Sequence, residues 1–67
     1  MNVFMRDNTV YAKVRRIRLF NYGELVHSEI MMVFEMPGHP DLDGEFQYVT
    51  QKDVSTIEME ATNGNSN

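Results

Sequence analysis

The sequence predicts a small all-β domain: a curved antiparallel barrel or sheet of four to five strands, SH3-like or similar, with one short helical turn. Three observations predict it. Residues 25–36 (LVHSEIMMVFEM) alternate apolar and mixed positions at a period of two. Residues 9–20 (TVYAKVRRIRLF) alternate as well, but with a parity break. Gly, Pro, Asn and Asp punctuate the chain between these runs. The alternative is an α+β arrangement, an antiparallel sheet with one C-terminal helix packed on it.

Taken in order, Val3 and Phe4 read as a strand edge or a cover over one end of the core, and Asp7-Asn8 as a turn. In 9–20, Val10, Ala12 and Val14 share one parity, whereas Ile17 and Leu19 have the other. One extra residue repairs this, so a β-bulge is expected at Arg15-Arg16, with the added twist that curves a sheet. Residues 21–24 suit a hairpin loop of three to five residues around Gly23. The central run then has an even face of Val26, Ser28, Ile30, Met32, Phe34 and Met36, apolar at all but one position. Its odd face carries Leu25, His27, Glu29, Met31, Val33 and Glu35. Ile30, Val33 and Phe34 also satisfy helical spacing. The turn signals at Tyr22-Gly23 and Pro37-Gly38 favour a strand.

Residues 37–44 (PGHPDLDG) read as an exposed loop, and 45–50 (EFQYVT) as a further strand. Thr50 and Asp53 have the spacing of a weak capping box. Beyond it lies either a helical turn over 51–54 leading into a last strand, or one two-turn helix. The β-branched residues between Val54 and Ile57 favour the strand. Residues 1–61 are expected to form a single domain, and 62–67 a disordered polar tail.

Sixty-seven residues hold one domain with a marginal core. The absence of cysteine excludes disulfides and thiolate zinc sites. A compact core or a self-association surface remains to supply stability. No apolar leader region follows the first residues and no apolar run is long enough to span a bilayer. The expectation is a soluble, cytoplasmic protein without membrane contact.

Charge is polarised along the chain. Residues 1–18 hold five bases and one acid, residues 19–67 one base and nine acids, for a net charge of −4. Lys13, Arg15, Arg16 and Arg18 fall within six positions. On one reading they pair across the hairpin with Glu24, Glu29 or Glu35. On another they form a nucleic-acid-binding strand, with Tyr22, and also Tyr11, Phe20 and Tyr48, stacking on bases. The overall negative charge opposes the second reading. The acids form no run that would mimic a phosphate backbone.

Motifs for chemistry are weak. Asp41, Asp43 and Gly44 begin like a calcium loop but lack its twelve-residue ligand pattern, and read as turn formers. His27 and His39 have no ligand spacing, and His27 reads as a partly buried packing residue. Ser28 beside His27 points to the opposite strand face, and Ser55 and Thr56 have no identifiable base. The four glycines stand alone, without a phosphate-binding loop. No enzyme activity, cofactor or metal site is expected.

Six methionines are many for this length, and Met31 and Met32 point to opposite faces of one strand. Either a second layer of the domain covers the odd face, or Leu25, Met31 and Val33 form an exposed apolar patch. The expected function is a small non-enzymatic protein-interaction module, a regulator or inhibitor of phage or mobile-element type, binding a protein partner through that patch or an open strand edge. The alternatives are a nucleic-acid-binding small barrel using Lys13, Arg15, Arg16, Arg18 and Tyr22, and a structural homo-oligomer.

Overall fold

Six strands and one 3₁₀ turn make up residues 1–59, which the computed structural model of the chain describes. The strands are β1 (Asn2–Met5), β2 (Val10–Tyr11), β3 (Val14–Phe20), β4 (Glu29–Met36), β5 (His39–Thr50) and β6 (Val54–Glu58), with the turn at Gln51–Asp53. They form two antiparallel three-stranded sheets, ordered β2-β1-β6 and β3-β4-β5. The protein is therefore all-β among the described residues. The C-terminal helix of the alternative reading is overturned, because Val54–Glu58 pairs along β1. The two sheets do not close into one continuous ladder. The expected tail, 62–67, and the last residues of the expected domain, 60–61, lie outside the described residues.

The segment read as one strand over 9–20 bends between the sheets. Lys13 sits at φ +59°, a left-handed conformation that interrupts a strand, and β2 ends before it. Met1 and Val14 exchange backbone hydrogen bonds of 2.7 and 3.0 Å, so β1 bridges the corner. The register of β3 on β4 slips between Val14 and Arg16. This is the bulge expected at Arg15-Arg16, and it returns both Val14 and Ile17 to the core side.

Pro37-Gly38 makes the tight turn from β4 to β5, with Gly38 at φ +80°. Residues 39–44, expected as a loop, are instead strand. β5 lies at the edge of its sheet, where Pro40 loses no ladder bond, and register slips near Glu35 absorb the extra residues. The hairpin loop expected at 21–24 extends over 21–28, so Leu25, Val26 and His27 leave β4. Ser28 holds this loop. It is 2% exposed, and its hydroxyl donates to the Glu24 carbonyl (2.8 Å) and accepts from the Tyr22 amide (3.2 Å).

Val3, Val14, Ile30 and Met32 form the core between the sheets, with Ile17, Phe34, Val49, Val54 and Ile57 packed around them. The even face of the central run is thus the core face from Ile30 to Phe34, whereas Met36, past the register slips, is exposed. Val3 is fully buried and its strand is the centre of its sheet, where the sequence suggested only an edge or cover.

Candidate functional site

The face of β3-β4-β5 turned away from the core is the most distinctive surface of the molecule. Strand alternation and the register define its rows. Arg18, Met31 and Tyr48 stand side by side, flanked by the row Arg16, Val33, Phe46 and the row Phe20, Glu29, Thr50. Phe46 is 61% exposed and Tyr48 47%. Their rings meet edge to face at 5.8 Å, and Tyr48 lies 5.9 Å from Phe20. The Arg18 guanidinium sits 5.1 Å above the Phe20 ring, a cation–π contact that keeps this base over the aromatic row. No second layer covers this face among the described residues.

One end of the face carries an ion-pair clamp. The Asp43 carboxylate accepts hydrogen bonds from Arg15 Nη1 (2.6 Å) and Arg16 Nη2 (2.7 Å), reaching across β4 from β5 to β3. The hydrogen bond from Arg16 is the largest cause that holds the Asp43 carboxyl below the usual carboxylate range. Asp43 in turn raises Arg16. Both arginines and the aspartate are solvent-exposed, so the clamp orders the face more than it stabilises the fold. The bases do pair across strands, but not with Glu24, Glu29 or Glu35. The longer loop shifts the register, so that Arg18 faces Met31 and Phe20 faces Glu29.

The residues singled out from sequence are divided by the fold. Met31 is at the centre of the face and half-buried. Val33 is on the same face but only 5% exposed, under the Arg16 and Phe46 row, so it is not part of an exposed patch. Leu25 is 60% exposed in the 21–28 loop, away from that face. It lines a shallow groove with Ile30, Val54, Ile57 and Arg6. Lys13 lies at the bend between the sheets, Arg15 in the bulge, and Tyr22 is exposed in the same loop as Leu25. His27 is also in that loop, with Nδ1 2.9 Å from Glu24 Oε2 and both side chains exposed, rather than packed on a strand. Among the described residues no three acidic, His or Cys side chains gather as a metal site.

Sequence reading passed over Phe46 as a site residue, although the signal was present. In a hairpin turning at Pro37-Gly38, odd positions of β4 face even positions of β5. Parity alone would set Phe46 and Tyr48 on the face of Met31 and Val33; the slip at Glu35–Asp43 breaks that parity and the next slip restores it.

The fold and this face define a class: a small, open, two-sheet β-protein displaying an aromatic–methionine surface ringed by charges. Comparison with protein-family models, curated proteins and solved structures gives no match for the chain.

Proposed function

We propose that this chain is a non-enzymatic protein-interaction module, and that it binds through the outer face of β3-β4-β5. The observation that carries the reading is the cluster of exposed Phe46 and Tyr48 with half-buried Phe20 and Met31, and charged residues at its margin. An aromatic centre inside a polar rim is the anatomy of a protein interface. Arg15 and Arg16 are held by Asp43, which leaves fewer bases for phosphates than the KVRRIR run suggests. Against the nucleic-acid reading also stands the net charge of −4. A cytoplasmic regulator or inhibitor of phage or mobile-element type accords with the size. Among the described residues no helix is long and apolar enough to cross a membrane.

The finer architecture we assign is SH3-like, left open on one side. Its support is the order of parts: the β3-β4-β5 meander, a single 3₁₀ turn, and a last strand that returns to pair with β1.

The test is capture from native lysate with wild type, Phe46→Ser/Tyr48→Ser, and Val10→Ser as a control on the other sheet. A discrete protein retained by wild type and by the control, lost with the double variant and indifferent to nuclease, is the expected result. Capture that disappears with nuclease would replace this reading with nucleic acid.

A further inference from the structure

We infer that the outer face of β3-β4-β5 is covered by a second copy of this chain, in a two-fold pair that sets β3 of one copy over β5 of the other. The inference rests on the reading of this face as an interaction surface and names its occupant.

The first ground is burial. Five apolar side chains are buried, while ten large ones among the described residues are at least 38% exposed. A chain this short without cysteine has self-association as one of the few ways to bury more. The second ground is the lateral order of the face. Its β3 side presents Arg16, whose edge is bonded to Asp43, then Arg18 and, at one end, Phe20; its middle presents Met31, and its β5 side Phe46 and Tyr48. Such a face is complementary to itself when the order is reversed.

Only one alignment reverses it. A two-fold axis parallel to the strands, running along β4, exchanges the lateral positions. Arg18 then lies over the Tyr48 of the other copy, Arg16 over its Phe46, and Met31 over Met31. Guanidinium on aromatic ring is a favourable contact that strengthens as water is excluded. An axis perpendicular to the strands would set β3 over β3 and stack arginines on arginines. Packed sheets cross at about 30°, which carries Glu29 and Glu35, at the ends of β4, away from their own copies at the rim.

Area sets the strength. Three strands about 4.8 Å apart and five residues long make a small face. Covering it in both copies removes on the order of 1,000 Å² from water, the lower end of specific interfaces. An interface of this size belongs with weak, transient pairs, so the pair is sought from micromolar to millimolar concentration.

Sedimentation equilibrium from micromolar to millimolar concentration tests the pair. Wild type is expected to pass from monomer to dimer. Phe46→Ser/Tyr48→Ser, checked for native circular dichroism, is expected to associate more than about tenfold more weakly. Wild type that remains monomeric to millimolar, or a dimer unaffected by the double variant, overturns the second-copy occupant. The alignment is read by mixing Arg18→Cys chains with Tyr48→Cys chains and adding a short bismaleimide. The chain has no cysteine of its own, and in the mixed pair one Arg18–Tyr48 contact survives. Mixed adducts should exceed those formed by either chain alone. Efficient joining of Arg18→Cys chains to each other would mean the opposite axis and refute the proposal. A monomer that still captures another protein through Phe46 and Tyr48 would keep the face and discard the second copy. A dimer unaffected by the double variant, together with capture that the double variant also leaves intact, would discard both.

Discussion

Gly44→Ala is the substitution whose effect follows most directly from backbone geometry. Gly44 lies in β5 where the register against β4 slips. A Cβ there would stand 2.9 Å from the Glu35 carbonyl oxygen, 3.1 Å from its carbon and 3.1 Å from Met36 Cα. All three are backbone atoms, so no side-chain rotation makes room, and β5 has to move away from β4. Overpacking of this kind costs about 1–3 kcal/mol. Gly44 is not among the residues at positive φ, so alanine also gains roughly 0.4–1 kcal/mol by restricting the unfolded chain. The clash wins, with a net loss of about 1–2 kcal/mol. In a domain this small each kcal/mol moves Tm by roughly 4–8 °C, so Tm falls by at least about 4 °C. Thermal melts by circular dichroism give the number, and urea melts with an unchanged slope show that the native fold is what was weakened. An alanine variant as stable as wild type, or more so, would refute the close approach of β5 to β4. Because the same slip brings Asp43 to Arg15 and Arg16, the variant should also loosen the clamp. The Arg16 Nε resonance is its reporter.

Three further predictions concern single features. Lys13→Gly relieves a left-handed backbone that disfavours side chains; a Tm increase of a few degrees is expected, and a decrease would show that the lysine side chain holds the corner. Ser28→Ala leaves the Tyr22 amide without its acceptor and costs about 1–3 kcal/mol, with faster amide exchange over 21–27; unchanged exchange would mean that the hydroxyl does not hold the loop. Asp43 has its carboxyl pulled down in the folded state, so its contribution is present above the unfolded pKa and is lost as pH falls through the lower folded one. Stability should therefore decline below about pH 4, and Asp43→Asn should flatten that acid limb only in part, since the Thr9 amide holds Asp7 low as well. An identical acid limb in the variant would remove Asp43 from the account.

Much of the fold was legible wherever local chemistry decides it. The parity break at Arg15-Arg16 is a bulge, Pro37-Gly38 is a tight turn, and the segment after Thr50 is one turn followed by a strand. The misread parts depend on the place of a strand in its sheet, or on a side-chain hydrogen bond that composition and period do not reveal. PDLDG looks like loop by composition, and is strand because an edge position tolerates Pro40 and the bulged register tolerates Gly44. Residues 25–27 look like strand by period, and are loop because Ser28 closes a hydrogen-bonded turn onto Glu24. The candidate site was half visible. Met31 stands at the centre of the outer face, while Val33 on the same face is covered and Leu25 is elsewhere. Phe46 and Tyr48 required the hairpin parity to be carried across the turn. The clamp between Asp43 and the two arginines required the register itself.

The central claim is that the outer face of β3-β4-β5 is where this protein meets another. Methyl-labelled methionine gives the most direct measurement, because Met31 lies on that face, Met32 in the core and Met5 on the other sheet. NMR spectra recorded on dilution, and on adding any captured partner, should move the Met31 methyl and leave Met32 and Met5 in place. A shift confined to Met5, or no shift at Met31 under conditions where association is seen by sedimentation or capture, would contradict it.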